Sequence, residues 1–295
     1  HEALTVFEHQ LFVNAVLSGL LLGGFYASVS VGLTLAFGQL NIVNIAHPAF
    51  VILGSYTAYI TNLLLGLDPI ASGVLFMPVF FAGGIILYRI YHVCFEARGD
   101  ESLRGLVFFF GIMFVIEVGL VIAYGVDYRF VEAAYIGGTV GYGAINLPLR
   151  MVAPFMAALA LTLGLQLFLS RTFTGRAIMA AAQDQIAVRL MGINPIRIKQ
   201  IAFGLAIMTA SLAGALLIVI GPVEPSMGRQ YIGRVFAIAV LGGTGSVPGT
   251  LVAALILGIA ESLTATFYGP SWAPAVAFGL LLGALAIRPQ GLFGR

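Results

Sequence analysis

Charge is scarce in this sequence. Asp, Glu, Lys and Arg fill only 9% of its 295 positions, where a soluble domain carries roughly a quarter. With 60% of residues hydrophobic and a mean hydropathy of +1.04, a water-soluble protein is excluded, because such a surface would aggregate. A net charge of +2 is too small for a nucleic-acid partner, since that binding draws on many basic contacts. The single cysteine, Cys94, excludes an internal disulfide. The single lysine, Lys199, is followed by Gln200, so no GxxxxGK[ST] phosphate loop exists. GxSxG and HExxH are absent too, and no enzyme reading has a motif behind it. His1, His9, His47 and His92 lack metal-ligand spacing, which leaves no metal site and no cofactor for the chain itself. Glu2 and Glu8 stand in the first ten residues without Lys or Arg, which is not the start of a signal peptide.

What is present is long uncharged runs. No Asp, Glu, Lys or Arg occurs between Glu8 and Asp68, and a crossing helix needs about 20 apolar residues. The runs predict an all-α, polytopic membrane protein forming one domain over 1–295, with about eight transmembrane helices. The spans fall near 11–37, 46–66, 70–93, 105–125, 149–170, 200–220, 250–267 and 273–288. A half-helix near 232–241 is too short to cross, 133–149 is too glycine-rich for a helix, and GPSWAP at 269–274 makes a turn. An outer N-terminus and inner C-terminus place ten basic residues inside, Arg288 and Arg295 among them, and four outside (Arg129, Arg150, Arg229 and Arg234), which accounts for all 14. The positive-inside rule favours that orientation.

Two interruptions stand out. The first is QLNIVNIAHPAF at 39–50 and the second LGGTGSVPG at 241–249. Irregular backbone at membrane depth survives only inside protein or beside a water-filled cavity. A pair of Gly/Pro-interrupted segments, one in each half, points to a transport pathway. Candidate lining residues are Asn41, Asn44, His47 and Pro48 in the first break and Gly242, Gly243, Thr244 and Ser246 in the second. Asn41, Asn44 and His47 recur every three residues, which predicts one face of a helical turn. The plainer alternative is that Asn44 and His47 cap helix ends and tie spans together. Glu117 and Glu261 lie within spans, and intramembrane carboxylates are costly. Glu117 either stays protonated, pairs with an arginine of another span, or contacts substrate; Glu261 is expected near the outer interface. Gly19, Gly23 and Gly24 with Ser18, and the pair Gly279 and Gly283, permit close helix packing.

The longest inner loop, 171–199, predicts one amphipathic helix over 176–191, capped by Thr174 and stopped by Gly192 and Asn194-Pro195. Ile178, Ala182, Ile186 and Leu190 make its apolar stripe. Such a helix either lies flat on the membrane or docks in a groove of a soluble partner.

Four stretches, in order, carry a family resemblance. They are GLLLGGFYASVSVGLTLAFG with NIVNIAHP, GRAIMAAAQDQIAVRLMGIN, AIAVLGGTGSVPGTLVAALILGIAE, and RPQGLFG at the C-terminus. Together they resemble permeases of ABC importers of the branched-chain amino acid type, a family that also has members for urea, short amides and aromatic acids. The resemblance implies a second homologous permease, two ATP-binding subunits that use ATP and Mg2+, an external solute-binding protein docking on 126–147 and 221–234, and a bacterial or archaeal cytoplasmic membrane. It assigns ATPase coupling to Arg176, Gln183, Asp184, Ile186, Arg189, Leu190, Gly192 and Asn194. Pro48 stands where the family has glycine, and Glu117 where a neutral polar residue is expected. The alternative function is a self-sufficient secondary transporter or channel that uses Glu117 and Glu261.

Overall fold

A computed structural model describes residues 2–99, 103–142, 145–287 and 291–293. Arg288, Arg295 and most of the RPQGLFG motif lie outside the described residues. Helix α1 (Glu2–Leu40) contains no proline and ends at Asn41, whose φ of +55° lies in the left-handed region that asparagine tolerates. Helix α2 (His47–Leu65) starts with Pro48 in its first turn, where a missing N–H costs nothing, and stops at Gly66 (φ +63°). The expected third span is two helices, α3 (Pro69–Leu75) and α4 (Met77–Cys94). Asp68 accepts from Ile70 N and Ala71 N and so starts α3, while Pro78 resists continuing it through Phe76. Next come α5 (Leu103–Tyr124), a hairpin of β1 (Thr139–Tyr142) and β2 (Ile145–Pro148), and α6 (Leu149–Arg171). Of the glycines that argued against a helix here, Gly141 is in β1 and faces Asn146 across the antiparallel pair.

The rest is α7 (Phe173–Gln183), α8 (Gln185–Leu190), α9 (Pro195–Ile220), α10 (Gly228–Gly242), α11 (Val247–Phe267) and α12 (Ala273–Ile287). Among the described residues, 8 helical segments are long and apolar enough to cross a membrane, as the uncharged runs predict. The expected half-helix is α10, and it is not one of these eight. Helix α10 has 15 residues, or about 22 Å at an α-helical rise. Its start packs on Pro48 and Ile52, and its end on Gly249 and Gly291.

Helices α1 and α9 form the centre. In lipid, close packing and small residues drive helix association. A Cβ on Gly23 would stand 2.6 Å from the Cα of Leu255, and one on Gly258 2.4 Å from the carbonyl of Gly19, so α1 and α11 cross backbone to backbone. A Cβ on Gly214 would stand 2.1 Å from the Val51 carbonyl, which joins α9 to α2 in the same way. A Cβ on Gly279 or Gly283 would meet nothing within 4 Å among the described residues. At the other end of α9 the sole lysine is buried. Lys199 Nζ is paired with Glu96, and the Tyr88 hydroxyl donates to Glu96 Oε2 at 2.6 Å. His92 Nδ1 lies 2.7 Å from the same oxygen.

Candidate functional site: two interrupted helices in contact

The second break turns through two left-handed glycines, Gly243 (φ +91°) and Gly245 (φ +83°). Ser246 then starts α11 by accepting from Gly249 N at 3.1 Å. This loop sits on the last turn of α1. A Cβ on Gly38 would fall 1.9 Å from Gly245 N, and Gln39 Nε2 donates to the Gly245 carbonyl at 3.1 Å. One turn deeper, Thr250 Oγ1 donates to Thr34 Oγ1 at 2.8 Å. Beside the contact lies a cavity of about 610 Å³ lined by Gly38, Gln39, Gln166, Met179, Gln183, Thr244, Ser246 and Phe293. Its polar groups are amides and hydroxyls without a charge. Gln39, Gln166 and Phe293 were not expected there, although Gln166 is the one amide in the run 151–170.

The first break is less open. Residues 41–44 are not helical, so Asn41, Asn44 and His47 share no helix face as their spacing predicts. Asn41 is exposed, while Asn44 and His47 are fully buried. Asn44 Oδ1 accepts from Ala46 N at 3.1 Å, and His47 Nε2 lies 3.0 Å from the Val29 carbonyl of α1. In this conformation both side chains tie the break together. Asn44 Nδ2, His47 Nδ1 and Ser30 Oγ are buried without a hydrogen-bond partner.

The two intramembrane carboxylates are both paired. Glu117 Oε1 is 3.0 Å from Arg229 Nη2 at the start of α10, which selects the arginine-paired alternative. Glu261 is only 3% exposed, enclosed by the bundle. It accepts from Arg234 Nε at 2.8 Å and from the Tyr26 hydroxyl at 2.5 Å. Two arginines of α10 thus hold it between α5 and α11.

The loop of 171–199 is also corrected. It forms two helices, because Asp184 turns extended and accepts from Ile186 N and Ala187 N as the cap of α8. The cap of α7 is Thr172 rather than Thr174, accepting from Gly175 N at 3.0 Å. The single stripe is split as a result. Ile178 is buried against the bundle, whereas Ile186 and Leu190 are 72% and 85% exposed beside exposed Met191. Arg176 donates to the Arg171 carbonyl, Arg189 lies in the last turn of α8, Gly192 (φ +79°) ends the turn and Asn194 caps α9.

The profile of the family described as branched-chain amino acid transport system, permease component, matches residues 15–285. The chain belongs to this family. It is 31% identical to the high-affinity branched-chain amino acid transport system permease protein BraD of Pseudomonas aeruginosa, over 96% of both chains. It is 29% identical to the LivH permease protein of the corresponding Escherichia coli system, again over 96% of both. A shorter match, 36% identity over 125 residues, covers 40% of this chain and 39% of the ribose import permease protein RbsC of Escherichia coli. No solved structure matches the chain. The family's members are transport permeases, and the fold is that of a multi-pass membrane protein.

Proposed function

We propose that this chain is one of two permease subunits of an ATP-driven importer in the cytoplasmic membrane, and that its cargo is a branched-chain or other apolar amino acid. The observation that carries the pathway is the contact of the two breaks at Gly38 and Gly245, beside a cavity that also holds Gln183 of α7. A loop helix that lines the same cavity as both breaks can move them when it is moved. The cavity's uncharged amides and hydroxyls suit a solute with no net charge. The basic-residue asymmetry supports placing the hairpin end outside and α7–α8 in the cytoplasm.

A homologous second permease would complete the cavity, forming a heterodimer. Two ATPases would engage the exposed Ile186, Leu190 and Met191 face, and a solute-binding protein would dock on the hairpin end. ATP binding closes the ATPase pair, α7 and α8 transmit that motion, and the breaks exchange access by rigid-body movement. The partnerless atoms at Ser30, Asn44 and His47 fit a second arrangement, since each costs about 1–3 kcal/mol while buried. Both intramembrane carboxylates sit on arginines, which removes support from an ion-coupled transporter.

The test is uptake and ATP hydrolysis by the reconstituted assembly carrying Ile186→Asp or Leu190→Asp. The subunit is expected to fold and insert, with uptake abolished. Undiminished substrate-driven uptake in both variants sinks the docking role.

A further inference from the structure

We propose that the hairpin end carries a binding site for a free α-amino acid, with Arg129 taking the carboxylate, Glu132 the ammonium, and a neighbouring apolar pocket the side chain. The proposal rests on the importer reading for its outward position.

Two cavities adjoin here. One, of about 440 Å³, is lined by Asn62, Tyr128, Arg129, Phe130 and Glu132 with Tyr59 and Leu63. The other, of about 330 Å³, is lined by Ile60, Leu64, Ala123 and Tyr124. They share Tyr59, Leu63 and Arg129, so a charged head and a hydrocarbon tail can occupy them together. Small-molecule sites have this size and this mixture of apolar walls with a few placed polar groups.

The Arg129 guanidinium is held in place, and neither charged group has a charged partner among the described residues. Arg129 pairs its backbone with Val223, N to O at 2.8 Å in both directions, which joins the two segments between spans. Its Nη2 donates to the Tyr124 carbonyl at 2.6 Å, and its guanidinium lies 5.8 Å from the Tyr59 ring centre. Its Nε is buried without a partner. Arg229 and Arg234 each have a carboxylate; Arg129 has none among the described residues. The Glu132 backbone is fixed by Asn62, whose amide accepts from Glu132 N at 3.2 Å and donates to its carbonyl at 3.0 Å. The Glu132 carboxylate also has no ion pair among the described residues. An unpaired cation and an unpaired carboxylate facing one cavity complement a zwitterion, whereas an anion or a cation alone would leave one of them opposed. A carboxylate–guanidinium pair adds bidentate geometry to the charge.

The experiment uses the assembled permeases and ATPases in lipid nanodiscs, without the solute-binding protein, and measures binding of radiolabelled L-leucine. Saturable binding is expected, weakened at least tenfold by Arg129→Gln and by Glu132→Gln. Leucinamide, which lacks the carboxylate, and 4-methylpentanoate, which lacks the ammonium, should each compete at least tenfold more weakly than leucine. Ala123→Phe, which fills the apolar pocket from an exposed helix face, should weaken leucine at least tenfold while sparing glycine, and it tests the site independently should the polar variants fail to assemble. Unchanged affinity in the variants, or 4-methylpentanoate competing as well as leucine, overturns the proposal. A wild-type assembly whose ATP hydrolysis ignores liganded binding protein sinks the importer reading instead. One that responds but does not bind leucine through these residues sinks only this site.

Discussion

Glu117 and Glu261 carry the same group into the membrane on different terms. Arg229, the partner of Glu117, has a side chain 52% exposed, and an exposed pair contributes about 0–1 kcal/mol. Glu117→Gln is therefore expected to leave assembly intact and to lower the detergent melting temperature by only a degree or two. Glu261 is buried with Arg234 and Tyr26 around it, and breaking a buried pair costs about 3–5 kcal/mol. Glu261→Gln should melt far lower in the same measurement, and equal melting of the two variants would refute the distinction. The sequence located both residues but not the partners they meet. The burial of Glu261 follows from Gly258, three residues earlier on the same face, which brings α11 onto α1 and Glu261 up to Tyr26. A glycine and a carboxylate three apart in one apolar span were visible; which helix they would meet was not.

At the scale of the element, local capping overrides propensity. AIMAAAQDQIAVRLM reads as one helix because its residues are good helix formers, and the apolar repeat every four residues agrees. Asp184 breaks it, since a short carboxylate satisfies the N–H groups of Ile186 and Ala187 better as a cap than from a helix interior. Asp184→Ala should cost α8 about 1 kcal/mol. With only 6 residues to hold, α8 should fray and uptake should fall, while ATP hydrolysis by the assembly continues uncoupled. Retained uptake at the wild-type ratio to ATP hydrolysis would show that α8 need not be rigid. The breaks themselves were legible, because Gly, Pro and Asn in apolar chain have few other uses. Their contact was not, since it depends on the long-range meeting of Gly38 with Gly245.

For the whole molecule, missing charge located the eight apolar spans and left α10 as the short helix below the length of a crossing. Its start packs on Pro48 of the first break and its end on Gly249 after the second. Orientation is open to a direct test. With Cys94 replaced by alanine, Glu132→Cys should react with a membrane-impermeant maleimide on intact cells, and Arg189→Cys only after permeabilisation. The reverse pattern would invert the topology and place the amino acid site in the cytoplasm. The C-terminal segment belongs at this scale too. Leu292 N donates to the Leu241 carbonyl at 2.8 Å, and a Cβ on Gly291 would stand 2.4 Å from the Val240 carbonyl. Residues 291–293 thereby fasten the end of α10 to the cavity that Phe293 lines. Leu292→Pro removes that N–H and should lower uptake without lowering membrane insertion; uptake equal to wild type would make the fastening incidental.

The buried pairing of Lys199 with Glu96 has a practical side. Lys199 is the chain's one lysine and is 8% exposed. Apart from a chain terminus, the folded subunit offers amine-reactive reagents almost nothing to modify. Crosslinkers that couple through lysine will leave this subunit out of the complexes they trap, and its absence from such maps says nothing about its neighbours. The same scarcity turns an amine-reactive dye into a sensor: it gains a place to attach to this chain when α4 and α9 separate.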